Sequence, residues 1–241
     1  MVFSYNGVDI HYEIYGEKED CPCLLLHGWG ASGEVFSALR QSFPFRQFIV
    51  LDFPPFGQSG KTLEGWNIFT YASMVMSLCE HLNLSSCDIL GHSFGGRVAI
   101  LLAALKKQLV RKLVLVDAAG LKPRRSLKYY IKLYGYKLRR NLGFYVASAG
   151  SQDYQALPDD LKPVFVSVVS QYLEEYCEMI YAPTLIIYGK NDKDTPVYMA
   201  KRLNKLIKHS KCVLLDDAGH YSFLDSPLAF YRELKEFWEE V

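Results

Sequence analysis

The sequence has almost no net charge and no long hydrophobic run. It contains 27 lysine and arginine residues against 26 aspartate and glutamate residues, so its formal net charge is +1. That balance gives no broadly basic surface for nucleic acid. No stretch approaches the ~20 apolar residues of a membrane span, and residues 1–7 lack the basic segment of a secretory leader. We therefore expect a cytoplasmic protein with no membrane span and no nucleic-acid partner.

The sequence also lacks the cysteine spacings of metal and redox sites. Its six cysteines include no Cys-x-x-Cys pair and no zinc-type arrangement. Cys87 and Cys212 begin apolar runs, in which a reduced thiol behaves as a small hydrophobic side chain. The pattern predicts free thiols in a reducing compartment.

Strand-like apolar runs alternate with helical patterns along the 241 residues. Asn6-Gly7 separates two β-rich runs and is a strong hairpin signal. The later strand patterns cover residues 23–26, 48–51, 87–90, 112–116, 184–188 and 212–215, and helical patterns cover 32–42, 67–82, 197–207 and 228–240. This order predicts an α/β fold with a mostly parallel sheet, an antiparallel N-terminal hairpin and helices on both faces. Such sheets place their chemistry at the carboxyl ends of the strands.

Residues 121–181 interrupt the alternation. They contain no strand pattern, only helical patterns over residues 126–140 and 160–179. About 60 residues are too many for an ordinary connection between core strands. We expect one domain over residues 1–241, with residues 121–181 as an inserted helical cap.

A Gly-x-Ser-x-Gly pattern stands between an apolar strand and an apolar helix. It places Ser93 between Gly91 and Gly95. These glycines permit a turn tight enough to hold a serine hydroxyl clear of the backbone. A serine hydroxyl is a weak nucleophile at neutral pH, so the chain must also supply a base and a carboxylate that orients it.

Six histidines compete for the role of base. His220 follows the last predicted strand and precedes the last helix, at the expected catalytic edge of the sheet. His92 adjoins the nucleophile, and its side chain should point away from that of Ser93. The other four occupy the hairpin, a tight turn, a helix end and a lysine-rich turn, and are interpreted as structural or solvated: His11, His27, His81 and His209. The predicted base is therefore His220.

Three aspartates are candidates for the orienting acid. Asp192 lies three residues after Gly189, where a short turn would direct it to the catalytic edge. Asp117 also ends a core strand and ranks second. Asp194 precedes a Thr-Pro pair, which better suits helix entry or capping. The order of preference is Asp192, Asp117, Asp194.

The chain order Ser93, Asp192, His220 is that of the α/β-hydrolases, and the sequence resembles that superfamily over nearly its whole length. The motifs that carry the resemblance are His27-Gly28-Trp29-Gly30, Asp52 with Gly57-x-Ser59, Gly91-His92-Ser93-Phe94-Gly95-Gly96, Gly189-x-x-Asp192 and Gly219-His220. The resemblance implies an α/β-hydrolase fold with an eight-stranded, mostly parallel sheet and a small helical cap.

The same resemblance implies an oxyanion hole made by the backbone N–H groups of Trp29 and Phe94. Two fixed donors there would stabilise the oxyanion of a tetrahedral intermediate. The side chains of Trp29 and Phe94 either line the acyl pocket or pack in the core. His27 resembles the structural loop histidine of the family.

The leading interpretation is a serine hydrolase that cleaves carboxylic esters of small or medium acyl groups through an acyl-serine intermediate. Ser93 attacks, His220 takes and returns the proton, and Asp192 holds the imidazolium. This mechanism requires no metal ion and no organic cofactor. A carbon–carbon bond hydrolase of β-diketone or ring-cleavage type would share the fold and triad. A ligand-binding, receptor-like member of the superfamily is an alternative of another class.

The beginning of the expected cap is strongly basic. It contains eight cations and no acidic residue: Lys122, Arg124, Arg125, Lys128, Lys132, Lys137, Arg139 and Arg140. These cations either form a solvated helix face or bind an anionic substrate or an acidic carrier protein. The second interpretation follows a resemblance to compact carboxylesterases such as the pimeloyl-carrier methyl esterases, whose basic cap contacts an acidic acyl-carrier protein.

Overall fold

Strands and helices alternate in the computed structural model, which describes residues 1–124 and 152–240. The strands are β1 (Val2–Tyr5), β2 (Val8–Tyr15), β3 (Cys23–Leu26), β4 (Phe48–Leu51), β5 (Cys87–His92), β6 (Val110–Val116), β7 (Thr184–Gly189) and β8 (Ser210–Leu215). The helices are α1 (Ser37–Ser42), α2 (Ile68–His81), α3 (Phe94–Leu105), α4 (Gln152–Ala156), α5 (Lys162–Ser170), α6 (Glu174–Glu178), α7 (Val197–Leu206), α8 (Ser222–Asp225) and α9 (Pro227–Glu239), with a 3₁₀ turn over Gly33–Phe36 before α1. Within these ranges, no helix is long and apolar enough to cross a membrane.

The described strands form one eight-stranded sheet in the order β1-β2-β4-β3-β5-β6-β7-β8. β1 pairs antiparallel with β2, and β2 pairs antiparallel with β4, whereas all the other neighbours are parallel. The predicted fold class is therefore confirmed. β5 lies between β3 and β6, so its carboxyl end stands in the interior of the catalytic edge.

Apolar side chains cover both faces of the sheet. In β3, Leu24 and Leu26 belong to one core, which α2, α3 and α7 cover. Cys23 and Leu25 point to the other core, which α1, α8 and α9 cover. Since helices cover both faces, the central strands are mostly apolar and show no regular alternation with polar residues.

The helical pattern over residues 160–179 is not one helix. α5 ends at Ser170 and α6 begins at Glu174. The interruption occurs because Gln171 has extended backbone (φ −83°, ψ 120°) and because the Leu173 amide donates to the Gly120 carbonyl at 2.9 Å. The predicted helix over residues 126–140 lies outside the described residues, and the boundaries of the cap at 121–181 stay a prediction.

Candidate active site

Ser93 occupies the turn between β5 and α3. Its backbone has φ 49° and ψ −109°, a positive φ that residues other than glycine rarely adopt. Its amide donates to the Val116 carbonyl (3.0 Å), and its carbonyl accepts from the amides of Gly96 (3.1 Å) and Ala119 (3.0 Å). The end of β6 and the loop after it thus hold the strained serine at the carboxyl edge of the sheet.

Two glycines allow this turn to pack closely on its surroundings. A Cβ atom on Gly91 would lie 2.6 Å from the carbonyl oxygen of Gly95, and a Cβ atom on Gly95 would lie 2.1 Å from that of Leu26. Both distances are well below van der Waals contact, so a larger side chain would push α3 away from the end of β5 at Gly91, or away from the end of β3 at Gly95. Close packing of α3 against β5 and β3 therefore requires the two glycines of the motif.

His220 joins Ser93 to Asp192. Its Nε2 atom lies 2.9 Å from Ser93 Oγ, and its Nδ1 atom lies 2.9 Å from Asp192 Oδ2. The three residues follow the carboxyl ends of β5, β7 and β8. The structure therefore brings together the three side chains that the sequence predicts as nucleophile, base and acid.

A short turn fixes the carboxylate of Asp192. Its Oδ1 accepts from the amides of Asp194 (2.8 Å) and Thr195 (2.9 Å), and its Oδ2 accepts from the Thr195 hydroxyl (2.6 Å). Burial raises the pKa of Asp192, but hydrogen bonds from His220 and Thr195 outweigh burial and lower the pKa below its ordinary value. Burial lowers the pKa of His220, and the hydrogen bond and charge of Asp192 outweigh it, so this pKa is raised.

The other two candidate acids have different contacts. Asp117 is buried, and its carboxylate accepts from the amides of Gly189 (2.8 Å) and Ser222 (3.0 Å). Burial raises the pKa of Asp117 to about 7, although these hydrogen bonds act in the opposite direction. Asp194 is exposed. Among the described contacts, neither carboxylate is hydrogen-bonded to His220, and Asp117 instead joins the end of β7 to the start of α8.

The sequence predicts that the backbone N–H groups of Trp29 and Phe94 form an oxyanion hole. Phe94 is the first residue of α3, so its amide has no acceptor within the helix, and Trp29 lies in the turn after β3. In the described part of the chain, neither amide donates to a protein acceptor. Both residues line the same cavity as Ser93. Two such donors next to a nucleophile suit the stabilisation of an oxyanion.

The fold and this arrangement match a known family. A family model described as the alpha/beta hydrolase fold matches residues 22–149 and 127–227. The chain belongs to the α/β-hydrolase fold family. It is accordingly a hydrolase of the α/β-hydrolase type.

Relatives of this α/β-hydrolase cover nearly its whole length. A 2-hydroxy-6-oxo-6-(2'-aminophenyl)hexa-2,4-dienoic acid hydrolase from Metapseudomonas resinovorans is 26% identical over 96% of this chain and 88% of its own. A pimeloyl-(acyl-carrier protein) methyl ester esterase from Vibrio cholerae is 25% identical over 95% and 97%. Among solved structures, the α/β-hydrolase MGS-M2 from a Medee basin deep-sea metagenome library has a TM-score of 0.81 with 21% identity, over 100% of this chain and 98% of its own. That last likeness shows the fold alone.

Ser93 of this α/β-hydrolase lines a cavity of about 570 Å³. The Trp29 ring packs edge-on against the rings of Phe56, Phe94 and Phe165, with centroids 5.0, 5.4 and 5.3 Å apart. Phe165 belongs to α5, so the segment expected to form the cap supplies part of the cavity wall. The side chains of Trp29 and Phe94 both line the cavity and pack against each other, which reconciles the two interpretations of these residues.

His92 has a contact that the sequence does not predict. It is fully buried, and its Nε2 donates to the backbone carbonyl of His220 at 2.7 Å. Burial lowers the pKa of His92 to about 3, so the ring is neutral. The contact connects the residue before Ser93 to the loop that carries His220. Its partner lies 128 residues away in the sequence, so no local pattern predicts this contact.

His27 joins two loops of the catalytic edge. Its Nε2 accepts from the Phe53 amide at 2.7 Å, and its Nδ1 donates to the Gly28 carbonyl at 2.7 Å. Burial lowers the pKa of His27 to about 4, which keeps the ring neutral. These contacts connect the end of β3 to the end of β4.

Among the described residues, one group near the nucleophile has the donor atoms for a metal ion. Ligand atoms of Asp192, Asp194 and His220 lie within 4.8 Å of one another. To bind a cation, His220 Nδ1 would have to give up the proton that it shares with Asp192. His220 Nδ1 therefore cannot bind a metal ion and donate a hydrogen bond to Asp192 at the same time.

Proposed function

We propose that this protein is a serine hydrolase that cleaves carboxylic esters of small or medium acyl groups. Ser93 is the nucleophile, His220 the general base and Asp192 the acid that orients it. The observation that carries the proposal is the continuous chain of contacts, 2.9 Å at each step, from Ser93 Oγ through the His220 ring to Asp192. A hydroxyl next to an oriented base is what acyl transfer requires.

The positions of the protons define the steps. The Nδ1 proton of His220 faces Asp192, which leaves the Nε2 lone pair for the Ser93 hydroxyl. As Ser93 Oγ attacks the ester carbonyl carbon, its proton passes to Nε2 and the carbonyl oxygen becomes an oxyanion. The amides of Trp29 and Phe94 donate to that oxyanion, and loss of one such donor typically costs about 3–4 kcal/mol of transition-state stabilisation.

The tetrahedral intermediate then collapses. His220 gives the proton to the leaving oxygen, so an alcohol departs and an acyl ester of Ser93 remains. A water molecule next gives a proton to His220 and adds to the acyl carbon. Collapse of the second intermediate breaks the bond to Ser93 Oγ, which recovers its proton from His220 as the carboxylic acid is released.

The cavity supports the choice of acyl group. Its volume of about 570 Å³ and the aromatic side chains in its wall suit a small or medium acyl group. The name of the Vibrio cholerae relative, a methyl ester esterase, agrees with an ester as the bond that is cleaved.

A carbon–carbon bond hydrolase is the second candidate. The name of the Metapseudomonas resinovorans relative describes a hydrolase of a 2-hydroxy-6-oxo dienoic acid, and such a reaction would use the same three side chains with a carbon leaving group. A ligand-binding member without catalysis is less well supported, because Ser93 and His220 lie at hydrogen-bonding distance.

The proposed partner is a small-molecule ester. Of the basic residues at the start of the cap, Lys122 and Arg124 are described, and six lie outside the described residues: Arg125, Lys128, Lys132, Lys137, Arg139 and Arg140. An acidic carrier protein or anionic substrate at that segment therefore stays a hypothesis, as does a cytoplasmic location.

Covalent labelling tests the proposed nucleophile. A fluorophosphonate should label the wild-type protein, and Ser93→Ala should abolish labelling and lower ester turnover by about four to six orders of magnitude. Ser85→Ala is the matched control, since Ser85 is exposed in the loop before β5 and its replacement should leave both readouts unchanged. Absence of labelling together with no turnover across an ester panel would refute the hydrolase mechanism. Turnover of carbon–carbon substrates alone would favour the second candidate.

A further inference from the structure

Arg97 is a buried cation in the wall of the Ser93 cavity. It lies on α3, four residues after Ser93, and is only 7% exposed. A charged side chain that is buried to this degree usually has a partner of opposite charge. Arg97 has none among the described residues, because no carboxylate oxygen lies within 4.0 Å of its guanidinium.

Two carbonyl groups hold one end of the guanidinium. Nη1 donates to the carbonyls of Val168 (3.2 Å) and Gln171 (2.7 Å), at the end of α5. Nε and Nη2 have no protein acceptor in the described part, yet they are not among the buried side-chain atoms that lack a partner. These two nitrogens therefore reach open space, and the space that Arg97 lines is the cavity.

The nearest acidic side chains are otherwise engaged. Glu174 acts on Arg97 from a distance, but its Oε1 accepts from Arg202 Nη2 (3.0 Å) and from the Lys122 amide (2.7 Å). Asp194 lines the cavity but is exposed, so water screens its charge. Burial lowers the pKa of Arg97 to about 10, and the side chain stays protonated at neutral pH.

We propose that Arg97 binds a carboxylate of the substrate, so that this enzyme prefers esters that carry a second, ionised carboxyl group. Nε and Nη2 lie on one edge of a guanidinium and match the two oxygens of a carboxylate. The N-terminus of α3 adds partial positive charge on the same side of the cavity. The ester and the carboxylate would thus be held by the same helix. This inference rests on the proposed function, because it names the substrate class of the same site.

Matched pairs of anionic and neutral esters test the preference. Monomethyl succinate, glutarate and adipate carry a free carboxylate on the acyl side, and methyl butanoate, pentanoate and hexanoate are neutral esters of equal acyl length. Butanoyl glycolate, compared with ethyl butanoate, places the carboxylate on the alcohol side. The wild-type enzyme should have the higher kcat/KM for the anionic member of at least one pair, and that pair identifies the side of the ester that faces Arg97.

Replacement of Arg97 separates recognition from structure. Arg97→Gln should lower the ratio of kcat/KM for the anionic and neutral members of that pair by about 10- to 100-fold, and Arg97→Lys should restore part of it. Arg202→Gln is the control, because Arg202 contacts the same segment of the chain through Glu174 and does not line the cavity. The control should leave the ratio at the wild-type value.

The outcomes are distinct. If Arg97→Gln lowers turnover of both members equally, or if the wild-type enzyme prefers neutral esters in every pair, Arg97 only fastens α5 and the inference is wrong. If no ester is hydrolysed and Ser93 is not labelled by a fluorophosphonate, the proposed function itself fails. Thermal unfolding of each variant shows whether a change in the ratio occurs in a folded protein.

Discussion

In the proposed mechanism, the charge of Asp192 sets the pH at which His220 can act as the base. Only the neutral ring accepts a proton from Ser93, and Asp192 raises the pKa of His220 above 6.5 despite its burial. We therefore expect kcat/KM for an ester to rise with pH through an ionisation above 6.5. Asp192→Asn removes the charge and can turn an amide N–H toward Nδ1, which favours the wrong tautomer of His220. It should therefore lower kcat by about 10⁴-fold and move that ionisation to lower pH. The pH–rate profiles of both proteins measure the two effects.

Asp117→Asn is the companion variant, since Asp117 was the second candidate for the acid. It accepts from two backbone amides and not from His220, so an amide in its place would oppose an N–H group and reduce the free energy of unfolding by about 1–3 kcal/mol. The ionisation in its pH–rate profile should stay close to that of the wild type. An active Asp192→Asn protein beside an inactive, folded Asp117→Asn protein would reverse the assignment of the acid.

The sequence predicts the candidate site residues that directly follow strands. It does not predict the residues whose contacts are made with distant parts of the chain. Ser93, Asp192 and His220 each follow a strand whose apolar run is visible in the sequence, so their meeting at one edge follows from the topology. His92 and Arg97 act through backbone carbonyls 128 and at least 71 residues away. No local pattern carries that information, because either residue would occur equally well on an ordinary buried turn or helix.

The contact between α3 and β3 depends on the absence of a side chain at Gly95. A Cβ atom there would lie 2.1 Å from the Leu26 carbonyl oxygen, so Gly95→Ala should displace the start of α3 and destabilise the fold by about 1–3 kcal/mol. Because Phe94 and Ser93 move with that turn, kcat should fall as well. Urea unfolding and ester kinetics on the same preparation provide both values.

Gly65→Ala shows what a glycine contributes when packing is not involved. Gly65 has φ +82° and no atom within 4 Å of a Cβ position, so alanine there meets only backbone strain, about 1–2 kcal/mol. Activity should be retained. Equal kinetic effects of the two substitutions would show that the contact with β3 does not position the nucleophile.

The sequence predicts the strands of the sheet correctly. Each core strand is apolar on both faces, and this signal does not depend on distant partners. The secondary structure of the segment after β6 is harder to predict. Residues 160–179 have a continuous helical pattern, but Gln171 and Leu173 form hydrogen bonds to α3 and to the loop after β6. Tertiary hydrogen bonds there override local periodicity.

For the whole molecule, a neutral buried histidine links stability to pH. The pKa of His27 is lowered to about 4 by burial, against about 6.5 in an unfolded chain. Above pH 6.5 its contribution is complete. As the pH falls from 6.5 to 4, the unfolded chain takes up the proton first, so up to about 3 kcal/mol is lost. The stability advantage of the wild type over His27→Gln should shrink by that amount between pH 7 and pH 4 in urea unfolding.

His209→Gln is the control for these unfolding measurements, because it replaces a histidine that is exposed in the turn before β8. A difference between wild type and His27→Gln that stays constant would mean that His27 has the same proton affinity in the folded and unfolded chains.

The hydrogen bond between Ser93 and His220 spans 127 residues of sequence. The nucleophile emerges early during synthesis, and its base follows only after β7 and β8 have been made. In a partly synthesised chain that lacks the loop after β8, the Ser93 hydroxyl has no His220 beside it and stays an ordinary alcohol. In the proposed mechanism, Ser93 is therefore activated only after β7 and β8 have joined the sheet and the loop after β8 has placed His220 beside it.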